Sequence, residues 1–316
     1  MTYGASTRFG RVLTAMATAM DGNGEVDLDR TVELARWLVE NGSEGLVVTG
    51  TTGEAPTLTD EEKISLWEAV AGAVSVPVIA GSGSNDTLHS VHMTKRAKEV
   101  GAAGALIVTP YYNRPPQSGL LSHFEAVAGA SDLPVIIYDI PVRTGRKVEG
   151  GTLLELVRRC PNVVGLKDAA GDPLATSKLM PKLPEYFEVY SGDDGLTLPL
   201  LAIGAIGVVG VATHWAAFGY QAMISSFLSG DYLRAMKINQ ALMPSVDFES
   251  RLDAPNPIPV KVMLNVLGLE VGETRLPLGR APEKLEKEAL HVFDETNQGL
   301  GALGVGIARA KKETRG

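Results

Sequence analysis

Eight short apolar runs, separated by amphipathic stretches, set what this chain can fold into. They lie at 12–18, 45–49, 76–80, 104–109, 134–138, 163–167, 187–190 and 206–211. Most are continuous in Val, Ile and Leu, the pattern of parallel strands covered on both faces. The stretches between them repeat at helical spacing. Residues 31–38 put Leu34, Trp37 and Leu38 on one face, and residues 61–70 do the same with Ile64, Trp67 and Val70. Thr59-Asp60-Glu61-Glu62 reads as a capping box at a helix start. Eight strand-then-helix units with right-handed crossovers close into an α/β fold, the (β/α)8 TIM barrel, which takes about 250 residues.

The eighth unit ends near Gly230, so residues 1–230 are expected to form the barrel. Helical patterns at 232–243, 258–267 and 281–296 predict a C-terminal helical appendage over 231–298. Residues 299–316 are Gly-rich and then basic, and are expected to be a disordered tail. An open doubly wound sheet is the alternative, but it wants a glycine fingerprint after the first strand. The G-x-G-x-x-G at Gly299, Gly301 and Gly304 follows no strand.

The chain has 316 residues with 45% apolar content, enough for a large core. Its net charge is −8, and no basic cluster precedes the last few residues. That argues against nucleic acid and anionic membranes as partners. The single Cys160 excludes an intrachain disulfide and suits a reducing cytoplasm. It precedes Pro161 late in a helical pattern, so packing is its expected role. The N-terminus shows no basic region followed by an apolar run, so no signal peptide is expected. Residues 195–230 carry no Asp, Glu, Lys or Arg, yet Pro199, Gly204, Gly207, Gly210 and Gly219 interrupt them. They read as helix, buried strand and helix rather than a membrane span.

Reactive groups of a barrel sit where its strands end. The sixth run ends in Lys167. A desolvated amine sheds its proton more readily, and a neutral amine attacks ketones, which suits Schiff-base chemistry. The alternative is a lysine reaching solvent beside Asp168. The second run enters Gly50-Thr51-Thr52-Gly53-Glu54, whose backbone N–H groups can hold a carboxylate, or which is simply a tight turn. The fourth leads into Thr109-Pro110-Tyr111-Tyr112-Asn113, and the fifth into Tyr138-Asp139-Ile140-Pro141 with Arg143-Thr144-Gly145 beyond. A phenol at a strand end can pass protons or merely pack. Arg143 can pair with a carboxylate of a ligand or of the surface. The seventh run leads into Ser191-Gly192-Asp193-Asp194, where both carboxylates are read as helix caps. No metal site is evident: His89 and His92 are read as solvated on an outward-facing helix.

Taken together, four segments resemble the dihydrodipicolinate synthases of the class I pyruvate-aldolase superfamily. They are Gly50-Thr51-Thr52-Gly53-Glu54, Thr109 through Pro115, Tyr138 through Gly145, and Gly165-Leu166-Lys167-Asp168, and the likeness runs from about residue 7 to about residue 297. The resemblance implies a lyase in which Lys167 forms an imine with pyruvate, and the derived enamine adds to aspartate 4-semialdehyde. It implies Tyr138 as proton shuttle, Thr51 as relay, and Tyr112 reaching into a neighbouring subunit's site. It places Thr52 on the pyruvate carboxylate, Arg143 on that of the semialdehyde, and Val209 and Gly192 in the substrate-binding set. No metal and no organic cofactor are implied; a homotetramer built as a dimer of dimers is. Two departures stand out: Asp139 where the family often has Asn, and His89 where lysine-inhibited members carry a carboxylate, with Lys63 adding positive charge. Weak lysine feedback is the expectation. The same barrel also serves N-acetylneuraminate lyases and 2-keto-3-deoxy sugar acid aldolases, and fold alone leaves room for a non-enzymatic binding protein.

Overall fold

The computed structural model describes residues 7–308. Eight parallel strands pair in sequence order, and β1 closes on β8. They are β1 Val12–Ala15, β2 Gly45–Val48, β3 Val78–Gly81, β4 Gly104–Val108, β5 Val135–Asp139, β6 Val163–Asp168, β7 Glu188–Ser191 and β8 Gly207–Gly210. The expected barrel is therefore present, with strands shorter at one or both ends than most of the apolar runs. Phe9, Leu13, Val47, Ile79, Leu106, Ile136 and Val209 fill its interior. Their sequence neighbours, such as Val12, Leu46, Val48 and Ile107, pack outward against the helices. Both faces being apolar, each run reads as continuous. Burying one such aliphatic side chain contributes about 1.5–3 kcal/mol.

The helix Asp60–Ala73 starts on the expected box: Thr59 accepts from the Glu62 N–H, and Glu62 accepts from the Thr59 N–H. Around β8 the chain follows the reading of 195–230, with Thr197–Leu201 before the strand and Thr213–Leu228 after it. No described helix is long and apolar enough to cross a membrane.

Three long helices follow, Tyr232–Glu249, Ile258–Val266 and Leu285–Gly301. The first was expected to stop at Met243, before Pro244, but it runs a further turn and a half past it. Proline removes one helical hydrogen bond, and buried Leu242, Ser245 and Val246 hold the helix across the gap. The tail also differs from expectation. The last helix reaches Gly301, Val305 and Ala308 are buried, and the Ala308 N–H donates to the Trp215 carbonyl at 3.0 Å. The rest of the expected tail, 309–316, lies outside the described residues.

Candidate active site

A register shift in the sheet aims the central residue. Val135 pairs with Val163, but Ile136 pairs with Gly165, so β6 carries one extra residue there. Val163 packs outward and Val164 inward, yet Leu166 is outward again. The bulge inverts the alternation and turns Lys167 into the barrel, in register with Tyr138 on one side and Tyr190 on the other. Lys167 is 4% exposed, Tyr138 is 5% exposed, and the Lys167 Nζ lies 4.3 Å from the centroid of the Tyr138 ring.

Two lysines are buried among the described residues, Lys167 and Lys261, and they differ. The Lys261 ammonium pairs with Glu54 at 2.6 Å and donates to the Glu273 carbonyl at 2.9 Å. Lys167 makes no hydrogen bond or ion pair of that kind among the described residues. Asp168, its sequence neighbour, faces the other way, bound to the Thr176 hydroxyl and to the Ala170 N–H at 3.0 Å. The reading of Lys167 as a lysine paired with Asp168 at the surface is therefore excluded. Gly192 flanks the lysine's stem. A Cβ there would lie 2.9 Å from Lys167 Cγ and 2.9 Å from Ala169 Cβ.

The Gly50–Glu54 loop is bracketed by two non-glycine residues with positive φ, Thr49 at 57° and Glu54 at 59°. Such conformations persist when neighbours over-determine them. Thr49 Oγ1 accepts from Trp67 Nε1 at 2.7 Å and donates to the Gly81 carbonyl at 3.2 Å. Gly53 is required by the chain itself, since a Cβ there would sit 3.0 Å from the Thr49 backbone. Thr52 is 2% exposed, and its Oγ1 accepts from Asn256 Nδ2 at 3.0 Å.

A cavity of about 250 Å3 opens beside this loop, lined by Thr51, Tyr138, Arg143, Lys63, Tyr111 and Ser84, among others. Two cations therefore face one space, a setting for anionic ligands. Burial pushes the Lys63 ammonium down and the Tyr111 phenol up. Arg143 donates only a long bond, 3.4 Å, to the Asn256 carbonyl. Val209 is fully buried inside the barrel, in the same cluster as Tyr138. Tyr112 stands apart from the cavity: it is 91% exposed at φ 71°.

Several residues were misread or missed. Asp193 does cap, accepting from the Gly195 N–H at 2.9 Å. Asp194 does not: it is buried and accepts from the Val211 and Ala212 N–H groups at 2.8 and 3.1 Å. Burial pushes its carboxyl up, as it does that of Glu249, and the charge of Lys167 acts on both in the opposite sense. His89 is not freely solvated; its ring bonds Ser84 Oγ at 3.0 Å and Asp60 Oδ1 at 2.8 Å. A carboxylate thus stands where none was expected, supplied from another helix. Glu249, Asn256 and Lys261 gave no signal as strand-end residues because they come from the C-terminal helices and their connection. Among the described residues, no group of three or more His, Cys, Asp or Glu is arranged to hold a metal ion.

Known proteins match this architecture over nearly its whole length. Residues 8–295 match the model of the dihydrodipicolinate synthetase family. A 4-hydroxy-tetrahydrodipicolinate synthase of Bacillus subtilis is 47% identical over 272 residues, 85% of this chain and 93% of that one. One from Thermosynechococcus vestitus is 45% identical over 292 residues, 92% of this chain and 98% of its own. Among solved structures, a dihydrodipicolinate synthase of Bacillus anthracis superposes with a TM-score of 0.88 at 43% identity, over 92% of this chain and 99% of that one. One from Cyanidioschyzon merolae, with lysine bound, gives 0.90 at 40% identity over the same shares of the two chains. This chain belongs to the dihydrodipicolinate synthetase family.

Proposed function

We infer that the chain condenses pyruvate with aspartate 4-semialdehyde to give 4-hydroxy-tetrahydrodipicolinate, in lysine and diaminopimelate biosynthesis. The observation that carries this is a buried lysine without an ion partner, set over a phenol inside the barrel of a chain from this family. Lys167 Nζ adds to the ketone carbon of pyruvate, and the carbinolamine loses water to leave an imine. Loss of a methyl proton gives the enamine. Its carbon attacks the aldehyde, whose oxygen takes up a proton and becomes the hydroxyl. The amine of the former semialdehyde then attacks the imine carbon and expels Lys167, closing the ring and restoring the free lysine.

Position supports the remaining assignments. Tyr138, whose ring lies under the Lys167 amine, delivers and removes protons. Thr51 shares its cavity and relays them. Thr52 accepts from Asn256, so its hydroxyl proton is left to donate to the pyruvate carboxylate, beside backbone N–H groups. Arg143 takes the semialdehyde carboxylate at the cavity mouth. The bare Gly192 leaves room for the lysine stem, and Val209 on β8, buried in the same cluster as Tyr138, is assigned to the substrate-binding set. Tyr112, exposed in a conformation disfavoured for its residue type, completes a neighbouring subunit's site, within a tetramer of tight dimers. The enzyme works in the cytoplasm, where Cys160 stays reduced.

A coupled assay offering aspartate 4-semialdehyde, N-acetylneuraminate and 2-keto-3-deoxy sugar acids tests the assignment. Turnover of the semialdehyde with pyruvate is expected. Preferential cleavage of a sugar acid transfers the chain to the neighbouring lyases.

A further inference from the structure

The C-terminal helices grip the Gly50–Glu54 loop at two points. The first is the ion pair between Lys261, in the helix Ile258–Val266, and Glu54; their side chains are 2% and 1% exposed. The other Glu54 oxygen accepts the Arg275 N–H at 2.8 Å. The Arg275 guanidinium then closes over the following turn, donating to the Thr57 carbonyl at 2.8 Å, to the Gly24 carbonyl at 2.6 Å and to Glu62. The second is the bond from Asn256, just before the same helix, to Thr52.

None of these contacts is needed to close the barrel, whose strands pair among themselves. A buried ion pair is also a poor way to gain stability, because desolvation offsets the attraction. Its geometric demand is the better reason for it. It pins a residue at φ 59°, three positions after Thr51, and an ångström of drift there is costly to chemistry.

We propose that Lys261 and Glu54 are positioning residues: across their buried pair the C-terminal helices hold Thr51 and Thr52 in place. The proposal rests on the roles given above to the two threonines. It makes the C-terminal region part of the active-site machinery rather than an appendage.

The test compares wild type with Glu54→Gln and with the double variant Glu54→Gln/Lys261→Met, which buries no lone charge. Two readouts are taken: amide hydrogen exchange in peptides covering residues 49–58, and KM for each substrate. In the double variant, exchange in that segment is expected to accelerate about 10-fold, and the KM for pyruvate to rise about 10-fold. The KM for the semialdehyde should stay within about twofold, because Arg143 sits on the helix Pro141–Thr144 and not on the Gly50–Glu54 loop. Glu54→Gln, which leaves the Lys261 ammonium buried without its anion, should shift both readouts in the same direction by at least as much. Wild-type exchange and pyruvate KM in both variants overturn the proposal. So does a parallel loss in both KM values that tracks a fall in melting temperature, since that marks a merely structural pair. A wild-type chain that turns over neither substrate refutes the assigned reaction, while exchange at 49–58 still judges the clamp.

Discussion

The ammonium of Lys167 lies over the face of the Tyr138 ring, 4.3 Å from its centroid, on neighbouring strands in direct register. The ring face gives the cation a modest attraction of about 1–2 kcal/mol without neutralising it, and it sets a phenol next to the amine. Among the described residues, no carboxylate forms an ion pair with the amine, in contrast to Lys261. The proposed nucleophile and the proposed proton carrier are thus adjacent before any substrate arrives.

Gly192 is where this arrangement is most easily disturbed. Gly192→Ala places a methyl group 2.9 Å from Lys167 Cγ and from Ala169 Cβ. Overpacking of this kind costs about 1–3 kcal/mol, and displacing the lysine should lower kcat about 10- to 100-fold. Thermal melts and steady-state kinetics check both. A fully active Gly192→Ala enzyme contradicts the placement.

Asp139 gives a pH signature. Burial pushes its carboxyl from the usual 3.8 up to about 6, with Lys147 at 3.7 Å only partly offsetting it. Between those values the folded chain keeps a proton the unfolded chain has lost, so stability falls as pH rises through the window. The full effect is roughly 3 kcal/mol above it. Asp139→Asn keeps the acceptor for the Val148 N–H and should match the parent near pH 3.5 while exceeding it at pH 7.5. Denaturation midpoints at the two values decide. Lower stability of the variant at pH 7.5 counts against it.

Tyr112 tests the assembly. Subunits carrying Lys167→Ala and subunits carrying Tyr112→Phe should each have little activity alone. Mixed by unfolding and refolding together, they should regain a substantial fraction, because one hybrid site holds an intact Lys167 and receives an intact Tyr112. No gain on mixing places Tyr112 within its own subunit's site or outside catalysis.

Lysine feedback should be weak. The carboxylate of Asp60 is already bound to His89 at 2.8 Å and faces Lys63 at 4.0 Å, so it is not free to receive an effector's amine. An initial-rate titration should show half-inhibition only above millimolar lysine. Sub-millimolar half-inhibition rejects this.

The barrel was legible because its strands, buried on both faces, read as uninterrupted Val/Ile/Leu runs. Lys167, Tyr138, Thr51 and Arg143 were legible because they close or follow such runs. The bulge at Val163–Gly165 was not, since an inverted alternation is invisible where both faces are apolar. Nor were Lys261 and Asn256, whose relation to Glu54 and Thr52 spans more than 200 residues and leaves no local pattern. The helix Tyr232–Glu249 runs beyond the expected 232–243 because tertiary packing outweighs the local cost of Pro244.

Borohydride reduction in the presence of pyruvate, followed by peptide mass mapping, tests the central claim most directly. The account predicts one reduced pyruvate adduct, on the peptide containing Lys167, and none on those containing Lys63 or Lys261. Absence of an adduct, or an adduct on another lysine, would contradict it.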